Sequence, residues 1–236
     1  MLKKAVAVIG AGNGGTAIAA HMTALGGQVR LCDLFPEFLS DIQSSGYIEL
    51  TYEGKTERVS PALVTPDVGR AVTGAGLIMV ATPAFTHKMI AKACADFLED
   101  GQIIVLNPGR TGGALEFLTT VRDCGCTKNI VIAEAQTLIY SCRKTAGNAV
   151  SIYGVKSAVD ISAFPAIQID EVLSALRPYY GQFQPVKNGL CTSLANIGSM
   201  FHPTPILLNI GRIENDARGF RYYWDGITPT VAALIE

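Results

Sequence analysis

Apolar residues fall in short solid runs in the first half of the chain and at helical spacing in the last part. Ala5–Ile9 is uninterrupted, as a strand buried on both faces requires. Gln28–Cys32, Leu77–Ala81, Gln102–Leu106 and Ile130–Ala133 have the same character. Between them lie segments of helical composition: Thr16–Leu25, Pro36–Ser44, Thr86–Leu98 and Ala114–Arg122. Strands alternating with helices predict parallel crossovers and a doubly wound α/β sheet. Tyr47–Tyr52 and Arg58–Val64 alternate apolar and polar residues around Glu53-Gly54, which predicts a hairpin insertion. After Gln136 the rhythm loosens, with strand composition at Ala149–Val155 and Phe183–Val186 and helix composition at Ile169–Tyr180. From Asn188 only helical patterns remain, at Leu190–Met200, Ile206–Ile213 and Thr228–Ile235. The reading is an α/β domain over residues 1–187, followed by a partial all-helical second domain over 188–236.

Composition narrows the classes. Of 236 residues, 49% are hydrophobic and 17% charged, enough apolar material for a large core. The net charge is −1 and no basic run occurs, so a nucleic-acid partner is not expected. No apolar stretch approaches the ~20 residues of a membrane span. Met1-Leu2-Lys3-Lys4 before Ala5–Ile9 has the outline of a signal peptide. Its apolar run is short, however, and leads into glycines rather than a cleavage site, so the segment reads as a strand. The six cysteines include only one close pair, Cys124 and Cys126, and the three histidines are scattered, which gives no metal site. Free thiols without an export signal point to a reducing cytoplasm.

The first chemical motif is Gly10-Ala11-Gly12-Asn13-Gly14-Gly15, a G-x-G-x-x-G run between a strand and a helix. Gly10 permits the tight turn, Gly12 the close approach of a pyrophosphate, and Gly15 the packing of helix on sheet. The N–H groups at the helix start then face phosphate oxygens. Asp33 closes the second strand, where a carboxylate accepts the hydroxyls of an adenine ribose and repels a 2′-phosphate. Leu34 and Phe35 supply no cation, which favours NAD over NADP. Together these features define a Rossmann dinucleotide-binding domain. Ligands in open α/β sheets lie beyond the carboxyl ends of the strands. The loops Thr82-Pro83-Ala84 and Asn107-Pro108-Gly109, which continues to Gly113, are therefore expected near the nicotinamide half.

His202, in Ser199-Met200-Phe201-His202-Pro203-Thr204-Pro205, sits at a break between two helical stretches. Pro203 and Pro205 suit the first turn of the second stretch. Hydride transfer needs a nearby proton source, and imidazole is suited to that near neutral pH, given a carboxylate partner. A capping or core histidine is the competing reading. His21 and His87 lack a second supporting feature, and no lysine falls in the strand-end loops; Lys88 is the nearest.

Four stretches resemble the opine dehydrogenase family, which includes octopine and nopaline dehydrogenases: Asn107–Phe117, Glu134–Arg143, Asn196–Glu214 and Tyr223–Pro229. The resemblance implies condensation of an L-amino acid with a 2-keto acid such as pyruvate, and reduction of the imine by NAD(P)H. It maps the family's catalytic histidine onto His202. It also places Glu134, Gln136 and Thr137, with Asn196 and Asn209, along the substrate pocket. The family's helical domain is longer, and the acid that partners its histidine has no counterpart here: neither Asp216 nor Asp225 stands in that place. A truncated chain or split gene is the corresponding expectation, with weak turnover by this chain alone. A homo-oligomer or a missing C-terminal partner segment would then cover exposed apolar faces.

Overall fold

The computed structural model describes residues 5–236; Met1–Lys4, the lead-in to the first strand, lie outside the described residues. The elements of the first half run β1 (Ala5–Ile9), α1 (Asn13–Ala24), β2 (Val29–Cys32), α2 (Ser40–Ser45), β3 (Ile48–Tyr52), β4 (Lys55–Val59), β5 (Leu63–Thr65), α3 (Val68–Val72), β6 (Ala75–Val80), α4 (His87–Cys94), β7 (Ile103–Leu106) and α5 (Gly113–Asp123). There follow β8 (Val131–Ala135), β9 (Tyr140–Ala146), β10 (Ala149–Val155), β11 (Val159–Phe164), α6 (Ile169–Leu176), β12 (Phe183–Pro185) and α7 (Gly189–Leu194). The last part is helical: α8 (Ile197–Phe201), α9 (Pro203–Leu208), α10 (Ile210–Asn215), α11 (Tyr222–Asp225) and α12 (Pro229–Ile235).

Eight strands form one sheet in the order β12-β11-β8-β7-β6-β1-β2-β5. The six strands from β8 to β5 are mutually parallel. The strict alternation of side chains across this sheet creates two cores. Val6 and Val8 of β1, Leu77 and Met79 of β6, and Ile103 and Val105 of β7 share one core with Ile18 and Met22 of α1. Ala7 and Ile9, Ile78 and Val80, and Ile104 and Leu106 share the other with Ile90 of α4 and Phe117 of α5. Continuous apolar runs were the signal for these strands because both of their faces are covered.

Several expectations are corrected. The sheet is not parallel throughout: β11 runs antiparallel to β8. The hairpin is β3 and β4, but it is no isolated insertion. It belongs to a second sheet, ordered β4-β3-β10-β9, in which β3 pairs parallel with β10. The expected second arm, Arg58–Val64, divides between two sheets: β4 ends at Val59, and β5 joins the main sheet beside β2. Strands β9 and β11 were missed, β9 because its residues Tyr-Ser-Cys-Arg-Lys-Thr-Ala look polar while only Tyr140 is fully buried. The helix expected over Leu190–Met200 is two helices, broken at Ala195-Asn196.

The chain divides into two compact units between Leu194 and Ala195, later than the composition break near residue 187. Helix α7 belongs to the first unit because its hydroxyls are bonded into the sheet, as described below. In the second unit, the Tyr222 hydroxyl donates to the His202 carbonyl (3.0 Å) and the Asn209 amide donates to the Pro205 and Gly226 carbonyls (2.8 Å each).

Candidate dinucleotide and proton-transfer sites

Sequence dictates the geometry at the first turn. Gly10 adopts φ +106°, and a Cβ there would lie 2.6 Å from the Ala81 carbonyl oxygen. A Cβ on Gly15 would run into the Gly10 carbonyl, whereas at Gly12 nothing lies within 4 Å. The loop is thus closed on its protein side and open toward a ligand. The N–H groups in the first turn of α1 have no helical acceptors, and the positive end of the helix dipole points the same way. Asp33 is tied to this loop: its Oδ2 accepts the Ala11 N–H at 2.7 Å and its Oδ1 accepts the Phe35 N–H at 3.0 Å.

A cleft of about 350 Å³ opens here, lined by Gly10, Gly12, Asp33, Phe35, Phe38, Thr82 and Pro83 among others. Phe35, Phe38 and Phe85 are exposed, an apolar wall for a flat base. The Thr82 hydroxyl is buried without a partner. Amides for phosphate, a carboxylate at the rim for a diol and an apolar slot for a base together fit a dinucleotide. Of the proposed cofactor residues, the structure gathers Gly10, Gly12, Asp33, Thr82 and Pro83 around this cleft. Asn13 is turned elsewhere, its Oδ1 accepting the Lys144 N–H at 2.8 Å. Gly14 faces Leu138.

The second strand-end loop, after β7, is pinned from below. Asn107 is buried, its amide donating to the Val105 carbonyl at 2.8 Å. Gly109 packs onto Glu134, and a Cβ there would run into that side chain. Glu134 is fully buried. Its carboxylate accepts the Ala114 N–H (3.0 Å), the Ser193 hydroxyl (2.7 Å) and the Thr192 hydroxyl. The Ser193 hydroxyl in turn accepts the Gly112 N–H at 3.0 Å. Glu134 therefore does not face an open pocket as expected of a substrate contact: it braces α5, α7 and the loop between β7 and α5. A buried carboxylate needs such a set of donors, and helix α5 supplies one at its N-terminus.

Thr137 lies two residues beyond β8, and its hydroxyl accepts from Lys156 Nζ at 2.7 Å. No lysine lies within the strand-end loops in sequence, but one reaches Thr137 from the β10–β11 turn, which sequence spacing does not reveal. Gln136 donates its backbone N–H to the Asp160 carbonyl at 2.9 Å. His21 Nδ1 lies 2.8 Å from the Tyr140 hydroxyl, which donates to the Tyr180 hydroxyl at 2.8 Å. His87 is fully buried with neither ring nitrogen hydrogen-bonded. Burial lowers its pKa, against the opposing charges of Glu116 and Glu134.

In the second unit, His202 is the N-cap residue of α9, with Pro203 in the first turn. Its imidazole is half-buried among Phe201, Tyr222 and Tyr223, with centroids 5.7, 6.2 and 6.0 Å away. The two acids considered as partners are engaged elsewhere: Asp216 with Arg218 at 3.6 Å and Asp225 with Arg221 at 2.9 Å. Asn209 does not present a free amide, since its N–H groups donate to the backbone carbonyls of Pro205 and Gly226. Asn196 caps α8 through its backbone, and its carbonyl accepts the Ser199 hydroxyl at 2.8 Å. All six cysteines are free, Cys32 and Cys94 being pushed by burial up to about 12. Among the described residues no cluster suited to a metal ion occurs, and no helix is long and apolar enough to cross a membrane.

Residues 185–236 match the family model for the alpha-helical domain of NAD/NADP octopine/nopaline dehydrogenases. Residues 5–121 match that for the N-terminus of NAD-dependent glycerol-3-phosphate dehydrogenases. Over 233 residues the chain is 37% identical to an opine dehydrogenase of Arthrobacter sp. (strain 1C), a match covering 99% of this chain and 64% of that protein. Along nearly its whole length the chain is thus similar to an opine dehydrogenase. It spans a little under two thirds of that relative's length. The solved structure of an octopine dehydrogenase with NADH and L-arginine has a TM-score of 0.73 at 22% identity, covering 97% of this chain and 60% of that one. A ketopantoate reductase from Ralstonia eutropha JMP134 has a TM-score of 0.67 at 16% identity, covering 98% of this chain and 70% of that one. At these identities both likenesses are of fold.

Proposed function

We propose that this chain binds NAD(H) and serves an opine-type dehydrogenase reaction, the reduction of an imine formed between an L-amino acid and a 2-keto acid such as pyruvate. The observation that carries the coenzyme half is the cleft at the open face of Gly12, with Asp33 at its rim. When bound, the coenzyme supplies the hydride. The chain's own residues bind and orient: the first turn of α1 takes the pyrophosphate, Asp33 the adenine ribose, and the loops at Thr82-Pro83 and Asn107-Pro108-Gly109 border the nicotinamide half.

His202 is assigned as the proton donor. A proton must reach the imine nitrogen as hydride arrives at carbon, and an imidazole given a carboxylate partner suits that exchange near neutral pH. Gln136, Thr137 and Asn196 are assigned to the substrate side. Glu134 is assigned to hold the β7–α5 loop rather than touch substrate, because its carboxylate is spent on three protein donors. The test is NADH oxidation with pyruvate and a panel of L-amino acids, for the wild type and for His202→Asn. Turnover is expected only with both substrates present, and is expected to fall by about a hundredfold or more in the variant. Turnover unchanged in His202→Asn removes it from the mechanism.

A second reading is favoured by Lys156 at the Thr137 hydroxyl: a two-domain dehydrogenase that reduces a keto acid directly with lysine as the acid. Oxidation of NADH by keto acid alone, lost in Lys156→Met, would establish it instead.

A further inference from the structure

The dinucleotide cleft has a cation beside it that sequence order conceals. Strand β9 of the second sheet carries Lys144 to the glycine loop. Its backbone N–H is fixed by Asn13 Oδ1 at 2.8 Å. Its ammonium donates to the carbonyls of Ala11 and Phe38, at 3.2 Å each. Ala11 is the residue whose N–H is held by Asp33, and Phe38 lines the cleft. The turn after β9 is pressed onto α2, where a Cβ on Gly147 would run into the Asp41 carboxylate. Lys144 is thus fixed at its backbone and at its tip, and it is half-buried. Burial lowers its pKa, and the charges of Asp41 and Asp33 oppose that shift, so both carboxylates are its electrostatic neighbours.

We propose that Lys144 is the cation of the dinucleotide pocket, and that coenzyme choice is set by the Asp33–Lys144 pair rather than by Asp33 alone. This rests on the dinucleotide reading above. A lysine has three N–H donors; Ala11 and Phe38 take two, which leaves one for a phosphate oxygen. A charge bonded to the very loop whose amides face the pyrophosphate favours either coenzyme through its field. Asp33 adds repulsion toward a 2′-phosphate alone. Removing Asp33 therefore exposes a cation that is already in place, with no engineered arginine needed.

The test is equilibrium binding of NADH and of NADPH, followed by coenzyme fluorescence with no second substrate. Folding of each variant is checked by circular dichroism. Lys144→Met is expected to weaken NADH about fivefold to tenfold, and NADPH at least as much. Lys144→Gln, which retains a donor for the Ala11 carbonyl without the charge, is expected to lose as much. Lys144→Arg is expected to stay within about twofold of the wild type. Asp33→Ser is expected to gain about tenfold for NADPH, and the gain is expected to vanish in Asp33→Ser/Lys144→Met. Wild-type affinities in both uncharged variants, or an NADPH gain that survives in the double variant, would overturn the proposal. A wild type that binds neither coenzyme is a different failure: it sinks the dinucleotide reading itself.

Discussion

The two compact units use apolar residues in opposite ways. In residues 5–194 two cores enclose many of the large side chains: Phe117, Ile18, Met22 and Met79 have essentially no exposure, while Phe85 at the cleft is open to solvent. In residues 195–236, the buried positions among the described residues are Pro205, Gly226 and Val231. Leu207 is 65% exposed there and Trp224 77%. The first unit draws stability from two cores and can hold a precise, strained loop at Gly10. The second relies on local helix contacts, caps and the Asn209 and Tyr222 bonds to backbone carbonyls. Local stability tracks buried apolar contact, so the first unit is expected to open less readily than the second.

Substitutions in the two units should separate accordingly. Phe117→Ala is expected to cost about 3–5 kcal/mol by chemical denaturation, because it empties a fully buried site between α5 and the sheet. Glu134→Ala should follow at about 3 kcal/mol, since it strands the Ala114 N–H and the hydroxyls of Thr192 and Ser193. A loss below about 1 kcal/mol there would break the account of Glu134 as a brace.

Next comes a pH effect centred on His87. Its folded pKa lies below the unfolded value of about 6.5. Between those two values the unfolded chain binds the extra proton. Stability from neutral His87 is therefore complete above about pH 6.5 and lost as pH falls from there toward the folded pKa. In His87→Leu the slope of stability against pH over that window should flatten, by at most about 1.4 kcal/mol per pH unit. An unchanged slope would contradict a buried neutral imidazole. Smallest of all, Leu207→Ser should change stability by less than about 0.5 kcal/mol, as expected of an exposed position. A large loss would show that this face is covered in solution.

Local sequence carried the parts of the fold that are local in space. The loop from Gly10 to Gly15 and its flanking β1 and α1 are contiguous, and the solid apolar runs of β1, β6 and β7 report burial on both faces. Asp33 was legible because it closes the next strand. Lys144 and Lys156 were not, since Lys144 reaches the glycine loop from β9, 133 positions from Ala11, and Lys156 reaches Thr137 from the β10–β11 turn, 19 positions on. Glu134 was legible as important but was given a different role. Only the tertiary fold brings the hydroxyls of Thr192 and Ser193 onto it. Strand β9 escaped detection because its exposed residues mask a single buried tyrosine. The antiparallel turn at β11 left no mark in composition.

The account depends most on the first turn of α1 receiving a pyrophosphate. Titration of NADH into the wild type, Gly15→Val and His202→Asn, each verified as folded, examines that directly. Saturable binding is predicted for the wild type and for His202→Asn, and none for Gly15→Val, whose side chain would collide with the Gly10 carbonyl. A folded Gly15→Val that binds NADH as tightly as the wild type would contradict it.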